Sequence, residues 1–360
     1  MGKRELGLIL AFVAAGVIIW QVTAPKAEGP GFSLSNLLAS ARREMRGWNA
    51  SAEVKTSPAI PVDASIHEIR LTLSGEITII GEDRDDVAAE LTVVSNGQDD
   101  AQAKALAEET ALKVSKFADS VVVAFEFPEP GRQEPTLTLR IPARMRVQLE
   151  GRGTAVVSGV GTVTLARSNG RLELKNITGL VKGEHRSGTL TVQGAQAVDL
   201  YAVSTETTIG DIREELRLNA RAGEVRITKT AGTVTILAGD SRVRIDGPTG
   251  TVRAEIVEGD LEMRDVSSEI DIDARSTPVT IGWARAATTK IQVRDASLEL
   301  ALPKDAATYS LDVRVSRGEL RVPDSLQKTT DGDESAVTKS GAVNAPAIFV
   351  RGSGSTVTIR

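Results

Sequence analysis

The chain has 360 residues, of which 41% are hydrophobic, 25% charged and only 3% aromatic, and its formal net charge at pH 7 is -5. This length can bury a sizeable core, which must be built from aliphatic side chains. The weak negative charge offers no electrostatic reason to bind nucleic acid. The absence of cysteine excludes disulfides, thiolate catalysis and thiolate metal sites.

The amino terminus carries an apolar segment, residues 6–22, which follows Lys3 and Arg4. Its seventeen residues reach the short limit for crossing a bilayer, about 17 to 25 residues. A cleavable signal peptide is the alternative, but Pro25 fits poorly near a cleavage site. We therefore predict a cytoplasmic segment 1–5, a transmembrane signal anchor 6–22, and the bulk of the chain in the periplasm or outside the cell.

Residues 23–50 are predicted to form a linker with an amphipathic helix. The apolar residues fall at helical spacing, opposite Arg42, Arg43 and Arg46; they are Leu34, Leu37, Leu38, Ala41, Met45 and Trp48. Such a helix can lie on a membrane surface, pack against a neighbouring chain, or cap the first coil of a repeat.

Residues 51–150 are predicted to form a lead-in β module. Strands are expected at 69–73, 77–79, 87–94, 121–127 and 136–141, with a short turn at Gly75. A helix is expected over 99–117, because Asp99 and Asp100 suit its amino end and Ala103, Leu106, Thr110, Val114 and Phe117 form a stripe.

Residues 151–303 contain a repeat in which each glycine is followed, two and four residues later, by aliphatic residues. The first aliphatic position recurs every nine residues, at Val163, Leu172, Val181 and Leu190, and again at Leu216, Val225, Val234, Val243, Val252, Leu261, Ile270 and Val279. The interval from Leu190 to Leu216 is one residue short, which places a deletion near residues 197–210.

This period predicts an all-β, single-stranded parallel β-solenoid of about 18 residues per coil, with two nonapeptide strands in each coil. Two aliphatic residues spaced two apart point to the same side of a strand, here the interior. Glycine is expected to supply left-handed backbone angles at each turn. A hexapeptide solenoid is the rival geometry, but the apolar pairs recur at nine and not at six.

Residues 304–360 are predicted to form further strands around a solvated loop, 327–342, which is rich in Thr, Asp, Ser and Lys. The last strand, near Thr356 to Ile359, is expected to cover the final open edge of the stack.

Two stretches carry a family resemblance: "LTLSGEITIIGEDRDDVAAELTV", and "TLTLRIPARMRVQLEGRGTAVVSGVGTVTLARSNGRLEL" leading into the glycine-headed repeats. From about Ile66 to Leu302 the chain resembles the bacterial "putative adhesin" β-strand-repeat domain of unknown function. The resemblance implies an envelope-associated β-solenoid and brings no catalytic residues. The "GRGTAVVSG" stretch departs from the usual turn of that family by carrying Arg152 and Gly153.

The residues offer little catalytic or metal-binding chemistry. The two histidines, His67 and His185, lie in different segments, and the nearest serine to His185 is Ser187. Calcium turns of nonapeptide rolls are only superficially matched by Gly210-Asp211, Gly239-Asp240 and Gly259-Asp260. We therefore predict no catalytic, cofactor-binding or metal-binding residues and no cofactor.

Acidic residues are the remaining candidates for glycan chemistry: Glu255, Glu258, Asp260, Glu262, Asp265, Asp271 and Asp273. Arg253 precedes Asp271 by eighteen residues, and Arg244 precedes Glu262 by eighteen. We interpret them as a solvated ladder with opposite-charge pairs, worth about 0.2–1 kcal/mol each, in which Arg226 beside Arg244 would be unfavourable.

The sequence predicts a membrane-anchored, non-enzymatic structural or binding module of the cell envelope, with an envelope glycan or protein as ligand. A self-assembling envelope scaffold is the alternative, and a carbohydrate-active enzyme on one solenoid face is a second alternative.

Overall fold

The computed structural model describes residues 50–63, 65–305 and 308–360. The predicted anchor 6–22 and the predicted amphipathic helix lie outside the described residues. Ala50–Arg360 forms one compact unit. None of the helices in the described part of the chain is both long and apolar enough to cross a membrane.

The described residues form a stack of β-strands and one α-helix, α1 (Asp100–Glu109). The strands before the regular repeat are β1 (Ala50–Thr56), β2 (Glu68–Leu73), β3 (Glu76–Glu82), β4 (Ala88–Gly97), β5 (Ala111–Phe117), β6 (Ser120–Glu126), β7 (Gln133–Pro142) and β8 (Arg146–Ser158). The strands of the repeat are β9 (Thr162–Val203), β10 (Thr205–Arg221), β11 (Glu224–Thr230), β12 (Thr233–Asp246), β13 (Val252–Val266), β14 (Ile270–Arg275), β15 (Val279–Trp283), β16 (Thr289–Arg294) and β17 (Ser297–Ala301). The last strands are β18 (Ser310–Ser316), β19 (Glu319–Arg321), β20 (Lys328–Asp331), β21 (Glu334–Lys339), β22 (Ala347–Ser353) and β23 (Thr356–Ile359).

The coils stack in parallel with an eighteen-residue offset, as predicted. In register, Val225 lies beside Val243, Val243 beside Leu261, and Leu261 beside Val279. Each of these four side chains is at most 1% exposed, so they form one interior column. The nonapeptide reading of the repeat is therefore confirmed, since alternate residues of every strand fill one continuous core.

Each coil contributes one strand to each of two walls. The first wall carries the column Val198, Leu216, Val234, Val252 and Ile270. The second wall carries Thr207, Val225, Val243, Leu261 and Val279. Because the two columns are nine residues apart along the chain, successive nonapeptides alternate between the walls.

The glycines at the corners follow the prediction only in part: Gly170 and Gly188 have left-handed angles, with φ of 103° and 100°, but others do not. Gly223 and Gly259 are not in the left-handed region; the residues just before them are, with φ of 50° at Ala222 and 52° at Glu258. A Cβ atom on Gly259 would lie 2.3 Å from the carbonyl oxygen of Ser241 in the adjacent coil. Glycine is required at these corners because neighbouring backbones approach too closely for a side chain.

The one-residue deletion lies slightly earlier than predicted. Ile212 pairs seventeen residues back with Ala195, whereas Glu215 pairs eighteen residues back with Ala197, and the register shifts between these pairs. The corner at Gln196 is thus one residue shorter than the corner stacked on it. The predicted window, 197–210, begins just after this corner.

The predicted helix 99–117 is half right. α1 begins after Asp99, whose side chain accepts a hydrogen bond from the backbone N–H of Gln102, and it ends at Glu109. Residues 111–117 are strand β5, antiparallel to β6. The Thr110 hydroxyl donates to the carbonyl of Leu106, and Leu112 and Val114 are β-compatible residues on one side of the strand. Val114 and Phe117, which the prediction placed in a helical stripe, therefore belong to a strand.

The order of the last coils departs from the order of the chain. β22 pairs in parallel with both β16 and β18, and β23 pairs with both β17 and β19. The carboxyl-terminal strands are therefore inserted as the penultimate coil, and the prediction that they cover the final edge is wrong. A local repeat gives no information about which open edge a late coil will join.

The predicted solvated loop 327–342 contains a β-hairpin. β20 pairs with β21, and β21 pairs antiparallel with β18, where Val313 lies beside Val337. Val337 is only 1% exposed, whereas all of β20 is exposed. A single buried valine thus orders a polar segment that composition alone marks as a loop, and the hairpin covers one end of the first wall.

Candidate functional site

The two walls present different outer surfaces. The hollow face is the outward side of the first wall, where the rows Asp199, Arg217, Thr235 and Tyr201, Asn219, Leu237, Glu255 run along the stack. The charged face is the outward side of the second wall, with the rows Glu224, Arg242, Asp260 and Arg226, Arg244, Glu262. Both surfaces are formed by residues that alternate with the core.

Two adjoining depressions give the hollow face its name. One encloses about 630 Å³ and the other about 450 Å³, and they share Tyr201, Asn219 and Leu237. Together they extend from Thr164 to Val257. A concavity of this size falls in the range of ligand sites, about 300–1,000 Å³.

Apolar side chains are unusually accessible on the hollow face. Leu237 is 46% exposed, Phe349 44% and Val257 38%. Among the described residues, the other large hydrophobic side chains as exposed as these are Phe117 at the end of β5 and Val343 in a loop. In the described coils, the charged face carries no large hydrophobic side chain as exposed as these. Exposed apolar surface is therefore confined to one wall of the repeat.

Charged side chains around the depressions are not neutralised by neighbours. Lys182, Asp199, Arg221 and Glu255 line them, and within the described residues none of the four forms an ion pair. Arg217 pairs with Glu215 at 2.9 Å. Unpaired charges of both signs beside Tyr201 and Asn219 provide hydrogen-bond donors and acceptors for a polar ligand.

The charged face is largely self-neutralised. Arg242 Nε lies 3.3 Å from Asp260 Oδ2, Arg244 Nε lies 3.1 Å from Glu262 Oε2, and Arg264 also pairs with Glu262. The predicted pairing of Arg244 with Glu262 is confirmed, and Arg226 lies beside Arg244 as expected. Pairing with Glu262 keeps the pKa of Arg264 above its usual value.

The acidic cluster of the sequence is divided between surfaces. Glu255 lies on the hollow face, Asp260 and Glu262 lie on the charged face, and Glu258 and Asp265 have left-handed backbone angles at corners. Asp271 lies beside Arg253 on the hollow face, and Asp273 is 3.5 Å from Arg294. The change of wall therefore separates Asp260 and Glu262 from Glu255, Asp271 and Asp273, which lie together on the hollow face with Glu255 beside Asp273 in register.

His185 is a core residue and not part of a polar loop, contrary to the sequence interpretation. It is 0% exposed, and its Nδ1 lies 3.0 Å from the hydroxyl of Ser168. Ser187 instead donates to Asn169 Oδ1 at 3.2 Å. Burial lowers the pKa of His185 below 6.5, which favours the neutral imidazole. A substrate has no access to this serine and histidine pair.

The aspartates considered for calcium occupy unrelated positions. Asp211 accepts a hydrogen bond from Gln193, Asp240 is a left-handed corner residue, and Asp260 pairs with Arg242. Within the described ranges, no three histidine, aspartate or glutamate side chains come together as metal ligands do. The described residues thus contain no assembled cluster of metal ligands.

The family comparison adds to this geometry. Residues 66–352 match the model of a family described as Toastrack DUF4097. The chain belongs to this Toastrack family. The predicted family resemblance is confirmed, and the match extends beyond Leu302 into β22, the first strand of the inserted coil.

Solved structures similar to this Toastrack chain include three bacterial proteins. A "putative adhesin" from Parabacteroides distasonis is 14% identical, with a TM-score of 0.36, over 70% of this chain and 97% of that one. A "putative adhesin" from Bacteroides fragilis is 10% identical, with a TM-score of 0.26, over 86% and 97%. A "putative cell adhesion protein" from Clostridium sporogenes is 7% identical, with a TM-score of 0.19, over 86% and 99%. No curated protein matches the sequence.

Sequence reasoning missed the hollow of this Toastrack domain. The signal was an aliphatic residue out of phase with the repeat: Leu237 stands between inward Ile236 and Ala238, and Val257 follows inward Ile256. The alternation of a strand predicts that such residues point outward. Tyr201 carries no comparable signal, because its neighbours on the face come from coils eighteen residues away.

Proposed function

We propose that this Toastrack chain is a membrane-anchored, extracytoplasmic binding module of the cell envelope, and that its hollow face binds an envelope glycan. The observation that carries the proposal is the difference between the two walls. The hollow face combines a depression with exposed Leu237 and Val257 and unpaired charges, whereas the charged face is ion-paired and, in the described coils, carries no exposed large hydrophobic side chain.

A glycan suits this surface better than an extended peptide. Strands flanking the depressions are already paired on both sides, as Asn219 is with Tyr201 and Leu237. A peptide therefore cannot be bound there by strand addition, which needs a free edge. Recognition must use side chains, and hydroxyl-rich ligands match the mixed donors and acceptors of Lys182, Asp199 and Asn219.

Membrane anchoring rests on the sequence. Residues 6–22 are apolar and follow two cations, so the anchor would leave the binding unit outside the cytoplasm. An adhesive role would combine this anchor with the hollow face. A reporter fused after Arg360 tests the orientation: activity of an export-dependent reporter supports it, and activity of a cytoplasm-dependent reporter contradicts it.

Binding is favoured over the two other functions for structural reasons. A scaffold that grows end to end needs open strand edges that pair with another chain in parallel. At one end, β20 and β21 add an antiparallel hairpin, which breaks the parallel stacking. At the other end, the edge strand β5 carries Lys113 and Lys116, and charged side chains on an edge oppose pairing with another chain. A serine hydrolase needs an accessible nucleophile, whereas the Ser168 and His185 pair is buried. Of the carboxylates on the hollow face, Asp273 is paired with Arg294 and Asp271 lies beside Arg253.

A glycan array probed with the full chain in detergent tests the proposal. We expect saturable binding to envelope oligosaccharides, weakened at least about tenfold, or about 1.4 kcal/mol, by Tyr201→Ala combined with Leu237→Ser. The matched control is Thr208→Ala with Thr228→Ala, on the charged face, which should leave binding unchanged.

Three results would contradict the glycan proposal. They are absence of glycan binding, equal loss in both double variants, and capture of a protein partner that the Tyr201 and Leu237 changes abolish while no glycan binds. Ordered polymers of the purified chain in light scattering would instead favour the scaffold.

A further inference from the structure

A second concave site lies where the repeat is interrupted. After Trp283 the chain takes five residues to reach β16, and after β17 it takes eight residues to reach β18. These two connections and Pro346, just before the inserted β22, line a cavity of about 660 Å³. We call it the corner pocket.

The inner part of the corner pocket is apolar. Trp283, Ala286, Pro303 and Pro346 line it. Trp283 is 8% exposed, and its indole N–H has no hydrogen-bond partner among the described residues. Because that indole nitrogen is itself fully enclosed, Trp283 contributes apolar ring surface to the cavity.

The rim of the corner pocket is mainly cationic. Arg285 and Lys304 line it, and neither forms an ion pair with any described residue. The one carboxylate in the lining belongs to Asp305, whose backbone carbonyl accepts from the Thr308 N–H at 3.2 Å and from its hydroxyl at 2.6 Å. Two cations against one carboxylate favour an anionic ligand.

The corner pocket is separate from the hollow face in residues and in chemistry. It shares no lining residue with the two depressions. On the side of Trp283 the backbone is held, because the N–H groups of Ala284 and Arg285 both donate to the carbonyl of Val266 at 2.9 and 3.3 Å. A held backbone suits a site that exists before its ligand arrives.

We propose that the corner pocket binds a small carboxylate with an apolar body, with Arg285 and Lys304 holding the carboxylate and the Trp283 side seating the apolar part. Such a ligand could be a short acyl chain or the carboxyl end of a peptide with an apolar last residue. Both have the same chemistry, an aliphatic group beside one anion, and carboxylates are ionised at neutral pH.

Trp283 itself provides the test. Substitution of the other two tryptophans, Trp20→Phe and Trp48→Phe, leaves Trp283 as the one fluorophore of its kind in the full chain. Hexanoate and N-acetylleucine are titrated separately into this protein in detergent, and each titration is compared with that of the corresponding neutral amide. We expect a saturable change in Trp283 emission with at least one carboxylate, and binding of its amide at least about tenfold weaker. The carboxylate that binds identifies the source of the ligand.

Arg285→Ala combined with Lys304→Ala should weaken carboxylate binding at least about tenfold. Arg275→Ala removes an exposed arginine outside the pocket and should change nothing. The proposal is overturned if neither carboxylate gives a saturable change, if acid and amide bind equally, or if the double variant binds as the parent does. None of these outcomes depends on glycan binding at the hollow face.

Discussion

The hollow face and the charged face are two sides of the same coils, yet they differ in every property that matters for binding. Their inward columns are alike, almost entirely aliphatic and buried in both walls, as at Leu218 and Leu261. Their outward rows differ, because stacking constrains alternate residues only. A β-solenoid can therefore keep one core while one face becomes self-neutralised and the other remains open for a ligand.

The largest effects should be the same in the two walls. Leu218→Ala removes an interior side chain of the first wall, and Leu261→Ala removes one of the second. Each should lower the free energy of unfolding by about 2–5 kcal/mol, because it leaves a cavity in a close-packed core. Urea denaturation measures both. A loss below about 1 kcal/mol in either variant would contradict a shared core.

A corner and a strand position should respond differently to the same added methyl group. Gly259→Ala places a Cβ 2.3 Å from the Ser241 carbonyl oxygen, whereas Gly282 has nothing within 4 Å. We expect Gly259→Ala to cost about 1–3 kcal/mol and Gly282→Ala to be neutral or slightly stabilising. Equal unfolding midpoints for the two variants would show that the coils are not as closely stacked as described.

The first wall should be acid-sensitive through His185. Its folded-state pKa is below 6.5, so the unfolded chain binds the proton more readily and stability falls as the pH drops below 6.5. The loss should approach about 1.4 kcal/mol per pH unit until the folded-state pKa is reached. His185→Ala should flatten the difference in the free energy of unfolding between about pH 7 and about pH 5.5.

Unfolding curves of the parent and the His185→Ala variant at each pH provide the comparison. Parallel curves would mean that burial of the imidazole does not matter. His67 is exposed, so His67→Ala is the matched control and should retain the parent pH dependence.

The smallest effects should come from the outer charges. Arg244→Ala on the charged face removes the pair with Glu262 and should cost about 0.2–1 kcal/mol at low salt and less at high salt. Arg221→Ala on the hollow face has no ion pair to lose and should be neutral at any salt concentration. Equal salt dependence in the two variants would contradict the difference in neutralisation.

The nonapeptide spacing was enough to predict which side chains form the core. Every second aliphatic residue and the eighteen-residue register follow from strand alternation, so Val225, Val243 and Leu261 could be placed in one column in advance. The same spacing located both strands of each coil. Local repetition carries this information because each coil contacts only its neighbours.

Features that depend on distant partners could not be read from spacing. The corner glycines are required because a carbonyl oxygen of the adjacent coil lies too close for a side chain, and His185 is hydrogen-bonded to Ser168 of the adjacent coil. β5 was taken for helix because its pairing with β6 is not visible in a single stripe. The insertion of β22 between β16 and β18 depends on competition between open edges. The hollow likewise needs coils eighteen residues apart to be seen together.

The assignment of residues to two opposite faces is tested most directly by disulfide cross-linking, since the chain has no cysteine of its own. Thr208 pairs with Arg226 in register on one face, and neighbouring parallel strands lie at about 4.8 Å, within the usual Cα range of a disulfide. Oxidation of the Thr208→Cys, Arg226→Cys variant should give a rapid intramolecular disulfide. The Thr208→Cys, Arg217→Cys variant, with positions on opposite faces, should stay reduced. A disulfide in the second variant and none in the first would contradict the two-faced coil.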